Sequence, residues 1–348
     1  MSEPAATLPV VHRGRRPASL AWSVFAAVVA LPVAGVSLFR AVPAEWPLPV
    51  IQLLSFTPWL AVPAGLALGL ALAGRRTWVV MTTAVLLAAQ LFWLFPFDMG
   101  RPVPPQAGAP APVSLTVMTI NSEFGQADAG AIAQLVRDKH VDVLTVQEHT
   151  QALEDRLDAA RLREVLPHLL SSPTDDASGS AVYSRFPLEA VGQLPDTPFQ
   201  MPVVRVTAVS GEATAVVTMT SVHTLPPVDE RIGQWRSDLM ALSRQASRPG
   251  RQVLLGDFNA TYDHLEFRQF LDGPLQEKGA DGSRLVDIGM ASGGRFAPTW
   301  PMENLALPGI VIDHVVTSSD IRHSGYSVHR VPGTDHAAVL AALEVPAS

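Results

Sequence analysis

Around position 257 the chain reads Leu254-Leu255-Gly256-Asp257-Phe258-Asn259. An apolar run that stops at Gly-Asp-x-Asn is the pattern of a buried strand delivering a carboxylate and an amide, two residues apart and so on one face, to a sheet edge. Alone the pattern is weak, because glycine, aspartate and asparagine at strand ends usually make turns. The chain repeats it with other chemistry. Val113 to Ile120 stops at Asn121, Val141 to Val146 at Gln147-Glu148, and Ala215 to Val222 at His223. Ile310-Val311-Ile312 leads into Asp313-His314, and Gly333-Thr334 into Asp335-His336 ahead of the last apolar run. Strands ending this way can gather these groups at one place.

Such a set suits hydrolysis at phosphorus. A hard cation such as Mg²⁺, or Mn²⁺ in its place, takes a few carboxylate oxygens and keeps several waters, and Glu148 with Asp335 would supply the oxygens. A phosphate ester also needs donors for its non-bridging oxygens and a carboxylate for the attacking water. His223, His336, Asn121 and Asn259 can donate, and Asp257 can orient the water. His149, His264 and His314 add no role that the set lacks and are read as structural. Glu123 is either a further metal ligand or an exposed loop carboxylate. Arg205 is either a phosphate contact or half of a surface ion pair. Trp300, within Pro298-Thr299-Trp300-Pro301, reads as packing.

The elements that must position these residues are legible in the periodicity. Ala129, Ile132, Ala133 and Val136 have helical spacing between two β-rich runs, Val113 to Ile120 and Val141 to Val146. Strands are expected near Ser180 to Ser184, Val203 to Val209, Ala213 to Val222, Gln252 to Leu255, Ile310 to Thr317 and Val339 to Val345. A helix with Ile232, Trp235, Leu239 and Leu242 on one face follows Asp229, a plausible N-cap. This alternation over residues 113–348 makes one α/β domain.

The first third of the chain has a different texture. Of its 348 residues, 48% are hydrophobic, and the excess is N-terminal. Leu20 to Leu38, Leu48 to Ala73 and Trp78 to Phe95 carry no Asp, Glu, Lys or Arg, and each is long enough to cross a hydrocarbon core of roughly 30 Å. The basic Arg13, Arg15 and Arg16 before the first run also resemble a cleaved signal peptide, but the further spans favour a retained anchor. Residues 1–97 are therefore expected to be a membrane region of three transmembrane helices. Arg13, Arg15 and Arg16 precede the first span, and Arg75 with Arg76 joins the second to the third, so the positive-inside rule places these ends in the cytoplasm. The chain beyond residue 97 would then be extracytoplasmic. Residues 98–112, with Pro102, Pro104, Pro105, Pro110 and Pro112, form a linker reaching at most about 45 Å.

Charge bears on the substrate. From Val113 onward there are 18 Lys plus Arg against 29 Asp plus Glu, a net of −11. That domain lacks the basic footprint of a nucleic-acid binder, although a divalent cation can reverse the sign locally. The absence of cysteine excludes disulfides and a thiolate metal site.

Taken in order, Asn121, Gln147-Glu148, Ser180-Ala181-Val182-Tyr183-Ser184-Arg185, His223, Gly256-Asp257-Phe258-Asn259, Ile312-Asp313-His314 and Thr334-Asp335-His336 resemble the endonuclease/exonuclease/phosphatase superfamily. The resemblance covers Val113 to about Val345. It implies a four-layer α/β sandwich of two mixed β-sheets flanked by helices, with the site at one end of the sheets. It also implies roles: Glu148 as main metal ligand, with Asp335 nearby and Asn121 assisting; Asp257 aligning or deprotonating water; Asn259 and His223 on the phosphate; and His336, paired with Asp313, stabilising the charged transition state.

Three spans ahead of such a domain resemble the layout of VanJ-type teicoplanin-resistance proteins. That resemblance implies a phosphatase at the outer face of the cytoplasmic membrane, acting on a lipid-linked phosphate or pyrophosphate such as undecaprenyl pyrophosphate. A membrane-tethered extracellular nuclease and a non-catalytic module binding a cell-wall precursor are the alternatives. No protein partner can be inferred.

Overall fold

The computed structural model describes residues 17–96, 110–273, 285–303 and 308–347. The N-terminal helices are α1 (Pro17–Ala41), α2 (Leu48–Leu54), α3 (Ala61–Gly74) and α4 (Thr77–Leu94). Three segments, Ser19–Ala41, Thr57–Gly74 and Thr77–Leu94, are long and apolar enough to cross a membrane. Large apolar side chains remain on their outer surface, such as Leu31 at 74% exposure and Val85 at 68%. Between the helices the contacts are small or polar: Ala26, Ala64, Ala67 and Ala71 are fully buried, and Gln90 Nε2 donates to Ser37 Oγ at 2.7 Å. Close packing of small residues with a few interhelical hydrogen bonds is how helices associate in lipid, where burial of apolar surface gives no drive.

The run Leu48 to Ala73, expected as one span, is broken. Leu48–Leu54 forms the short helix α2, and a 3₁₀ turn at Thr57–Leu60 containing Pro58 separates it from α3. Proline lacks the N–H that would continue the helix, and α2 turns away to pack on the following domain, where Ile51 is 1% exposed among Leu194, Met201, Trp235 and Phe258. Most of the predicted Pro-rich linker lies outside the described residues.

From Val113 the chain alternates as expected: β1 (Val113–Asn121), α5 (Ala129–Asp138), β2 (Val143–Gln147), α6 (Gln151–Ala159), β3 (His168–Ser172), β4 (Ser180–Ser184), β5 (Leu188–Gln193), β6 (Pro202–Ser210) and β7 (Ala213–His223). Then come α7 (Ile232–Ala246), β8 (Gln252–Asp257), α8 (Leu265–Asp272), β9 (Val286–Asp287), α9 (Ile288–Ala291), β10 (Asp313–Thr317), β11 (Arg322–Arg330) and β12 (Ala337–Val345). Side chains of Asp128 and Thr150 cap α5 and α6 by accepting from Ala131 N and Leu153 N. Asp229 is not the cap of α7; it opens a 3₁₀ turn, and its side chain faces Arg231. The strand expected from Ile310 begins only at Asp313, because Ile310 bridges to Trp300 instead.

Two mixed six-stranded sheets result, ordered β11-β12-β1-β2-β4-β3 and β5-β6-β7-β8-β10-β9. Helices α5 and α6 cover the outer face of the first, and α7 and α8 cover the second. The two-residue period of strands sorts the side chains. Val117 and Val143 from the first sheet and Met219, Val253, Leu255 and Val315 from the second meet between the sheets. Met118, Ile120 and Leu144 instead face the helices of the first sheet, and Val222 and Leu254 those of the second. The same parity puts Asn121, Gln147, His223, Asp257 and Asp313 on the inner faces, at one end of the stack.

Candidate active site

Between the apolar core and this end lies a layer of hydroxyls and amides. Thr145 Oγ1 donates to Thr119 Oγ1 at 2.8 Å, Thr119 to Gln147 Oε1 at 3.1 Å, and Gln147 Nε2 to Ser221 Oγ at 3.2 Å. The last of these bonds joins the two sheets directly beneath the site. Above them the strand registers place Asn121 beside Gln147, and Asp257 between His223 and Asp313. Gly256 is required here: its φ is +148°, and a Cβ would lie 2.0 Å from Val222 O. Phe258, fully buried against Phe267, Phe270 and His314, anchors the turn that comes next. Asn259 has φ +46°, a left-handed conformation that asparagine tolerates.

Asp257 is held through both oxygens. Oδ1 accepts from Asn259 N at 2.8 Å and Oδ2 from Asn121 Nδ2 at 3.1 Å. Burial pushes its carboxyl up, the His336 charge opposes this, and Asp313 adds to it. His336 Nδ1 lies 3.0 Å from Asp313 Oδ2, and its Nε2 stands 3.8 Å from both Asp257 Oδ2 and Asp335 Oδ1. Burial disfavours the imidazolium, but Asp313 and Asp257 outweigh it and raise His336. His223 goes the other way: burial and the neighbouring His336 lower it to about 3. It is therefore neutral, stacked on Phe199 at 4.4 Å, with Nε2 3.8 Å from Glu148 Oε1. Two imidazoles shifted in opposite directions, His336 upward and His223 downward, flank the buried Asp257.

Glu148 and Asp335 form the other side. Glu148 accepts from Asn121 Nδ2 at 3.1 Å and from Phe124 N at 2.8 Å. Asp335 Oδ2 accepts the Trp300 indole N–H at 2.7 Å, and its backbone N–H goes to Glu123 Oε2 at 2.8 Å. Burial raises Glu148, and the charge of Asp335 raises it further. Two carboxylates that press on each other in a half-buried cleft, with oxygen donors and no thiolate, fit a hard divalent cation. Ligand atoms of Asp257, Asp313 and His336 also lie within 4.8 Å of one another. There the short His336–Asp313 contact already uses the donors, so the carboxylates of Glu148 and Asp335, whose oxygens keep lone pairs beside the single hydrogen bonds they accept, are the better seat.

Of the residues anticipated from sequence, Asn121, Glu148, His223, Asp257, Asp313, Asp335 and His336 come together. Asn121 turns its amide nitrogen to Glu148 and Asp257 and accepts from Glu123 N through its oxygen at 3.0 Å, so in this arrangement it spaces those two carboxylates. Asn259 borders the site, its Nδ2 donating to Thr224 O at 2.9 Å. Arg205 does not belong to the group. It is paired with Glu189 at 2.7 Å across β5 and β6, where both side chains are exposed. It sits opposite Thr218, five residues and so about 17 Å along β7 from His223. His149, His264 and His314 are structural, bonded to Glu154, Ser55 and Asp287 respectively.

Sequence reasoning read Trp300 as packing, quoted Thr334 only within Thr334-Asp335-His336 without a role, and missed Phe199. Thr334 Oγ1 donates to Asn121 O at 2.8 Å and accepts from His336 N at 3.1 Å. Trp300 and Thr334 lie in the marked motifs Pro298-Thr299-Trp300-Pro301 and Thr334-Asp335-His336, but the partners that give them a role are remote in the chain.

Solved structures with this fold include a humanised D. rerio TDP2, 13% identical with a TM-score of 0.51, covering 67% of this chain and 99% of that one. A truncated Caenorhabditis elegans TDP2 is 17% identical at a TM-score of 0.50, covering 67% and 98%. D. rerio TDP2 complexed with a single-strand DNA product is 12% identical at 0.51, covering 67% and 99%. At such identities the likeness establishes the fold alone. No curated protein sequence matches the chain. The family model described as Endonuclease/Exonuclease/phosphatase family matches residues 118–336, from the inner strands through His336, and the chain belongs to that family.

Proposed function

We propose that the protein is a divalent-metal-dependent phosphoesterase working at the outer face of the cytoplasmic membrane on a lipid-linked phosphate or pyrophosphate, such as undecaprenyl pyrophosphate, with a link to glycopeptide resistance. The observation that carries this reading is the docking of the membrane region beside the site. Trp59 Nε1, at the start of the second span, donates to Gly309 O at 2.9 Å, and Arg40, at the end of the first, reaches Asp263, four residues beyond Asn259. Trp46, Trp59 and Trp93 all sit at this end of the helices, where indoles favour the headgroup level. Arg75 and Arg76 lie at the opposite end, which supports an outward-facing catalytic domain.

In this reading Glu148 and Asp335 hold Mg²⁺ or Mn²⁺, which when bound supplies charge neutralisation at the phosphate oxygens and a site for them to bind. Asp257, fixed by Asn259 and Asn121, accepts a proton from the attacking water or aligns it. Cationic His336, oriented by Asp313, stabilises the charge that builds on the phosphoryl oxygens. Neutral His223 and Asn259 border the same space and position the phosphate.

A surface nuclease would use the same groups, and one solved relative holds a single-strand DNA product. The net −11 of the domain opposes long-range attraction to a polyanion. Full-length protein in detergent, given polyprenyl pyrophosphate and plasmid DNA side by side with Mg²⁺ or chelator, separates the two. Metal-dependent phosphate release from the lipid is expected; cleavage of DNA alone sinks the lipid reading. Full biological effect with Asp257→Asn and Glu148→Ala would instead support a non-catalytic binding module.

A further inference from the structure

Arg236 on α7 donates to Trp46 O at 2.9 Å and Ile51 packs near Trp235, and two further lines of contact between the N-terminal region and the domain lead toward the segments that carry Asp257-Asn259 and Asp335. The first line of contact starts at Arg40. Its Nε donates to Asp263 Oδ1 at 2.8 Å, and the other carboxylate oxygen takes Arg295, with all three side chains under 10% exposed. His264, next in the chain, meets Ser55 Oγ at 3.1 Å and Ile51 O at 3.0 Å, while its Nδ1 accepts from Thr261 N at 3.0 Å. The turn immediately after Asn259 is thus pinned by α1 on one side and by α2 on the other. A void of only about 20 Å³ remains in this contact, lined in part by Trp59, Asp263, Arg295 and His314.

The second line starts at Trp59, whose indole also meets Phe296 edge-on at 5.4 Å. Its N–H fixes Gly309 O. Ile310, the next residue, exchanges two backbone hydrogen bonds with Trp300, at 2.7 and 3.1 Å. The Trp300 indole then donates to Asp335 Oδ2 at 2.7 Å, and Met302 N donates to Asp335 O at 2.7 Å. Every link from the membrane helix to the carboxylate is a directional bond.

We infer that the N-terminal membrane region is a working part of the site: Trp59 acts as a positioning residue that sets the orientation of Asp335 through Gly309, Ile310 and Trp300, with Arg40 and Asp263 clamping that region in place. The inference rests on the reading that Asp335 is a metal ligand. A domain joined only through a flexible linker would have no use for an indole relay into its carboxylate. The consequence is that metal affinity, and not only location, depends on a residue of the membrane region.

The test titrates Mn²⁺ alone into full-length protein in detergent and follows the free-ion signal by electron paramagnetic resonance. Trp59→Phe keeps the ring and removes the N–H; Trp300→Phe does the same one step nearer the carboxylate. Loss of an outer partner of a metal ligand costs about 10–100-fold in affinity, so Trp300→Phe is expected to weaken Mn²⁺ within that range and Trp59→Phe by a smaller factor, about 3–10-fold. Trp46→Phe is the control, because that indole bonds to Phe39 O within the membrane region itself; it should bind Mn²⁺ as the parent does. Should Trp59→Phe not assemble, the benzothiophene isostere of tryptophan at position 59 retains the shape without the donor. Asp335→Asn separates the two levels. If it leaves Mn²⁺ binding intact, the metal-ligand reading fails. If it abolishes binding while the Trp59 variants match the parent, or if Trp46→Phe falls as far as Trp59→Phe, the relay is overturned and the metal reading stands.

Discussion

Arg40, near the end of the first membrane helix, lies 2.8 Å from Asp263, and the two residues are 223 positions apart in the chain. The pair is almost completely buried, and Asp263 is shared with Arg295. Burial works against the ionised carboxylate, but Arg295 and Arg40 prevail and hold it below the usual carboxylate range. The first apolar helix and the α/β domain are therefore joined by a buried charge contact.

Removing the carboxylate should be costly. Asp263→Ala leaves two buried guanidinium groups without their partner, and breaking a buried pair in this way costs about 3–5 kcal/mol. Arg40→Met should cost less, since Asp263 keeps Arg295. Thermal melting of the full chain in detergent checks the order; Asp263→Ala melting at the parent temperature would contradict the buried clamp.

Within the site, chemistry and metal binding should separate. Asp257→Asn retains the shape and is expected to lower turnover by about 10²–10⁴-fold, the usual range for a lost general base, with Mn²⁺ affinity little changed. Glu148→Ala should lose the metal first and turnover as a result. Equal metal affinity in the parent and Glu148→Ala would move the ion elsewhere.

Chelation gives a coarser check on the same centre. Phosphate release should stop with excess EDTA and return on adding Mg²⁺ or Mn²⁺, without unfolding by circular dichroism. Activity that survives exhaustive chelation would rule out a metal-dependent phosphoesterase.

Stability should also carry a signature of His314. Its Nδ1 lies 2.9 Å from Asp287 Oδ2 and its Nε2 2.9 Å from Ala260 O, an arrangement in which both nitrogens donate. Burial disfavours the charge, yet Asp287 prevails and the group is raised above its ordinary value near 6.5. A raised folded value means that the contribution is complete below about pH 6.5 and fades as pH rises through the folded value. The stability difference between the parent and His314→Gln should therefore shrink from pH 6 toward pH 9. A difference that stays constant or grows over that range would show that His314 is neutral in the fold.

What the sequence determined by itself was local. The apolar runs, their period of two or 3.6, and the polar residue that ends each run come from side-chain order alone. For that reason one α/β domain, the apolar N-terminal helices and the cluster from Asn121 to His336 were legible, while the two-sheet sandwich was implied only by the family resemblance. The inner-face parity of Asn121, His223, Asp257 and Asp313 is the same information seen in three dimensions. Tertiary structure decided what depends on a remote partner. Arg205 has an ordinary strand sequence around it, and only the register with Thr218 removes it from the site. Leu48 to Ala73 carries no charge, and although its polar residues Gln52, Ser55 and Thr57 all fall in its N-terminal part, only the docked structure shows that Ile51 packs among Trp235 and Phe258. Trp300 reads as packing in the sequence, and Trp59 as one more apolar residue of a span, because an indole's role depends on which acceptor its N–H meets. Those acceptors, Asp335 and Gly309, are 35 and 250 positions away. Hydrogen bonds over such separations exist only once the N-terminal region and the sandwich have docked.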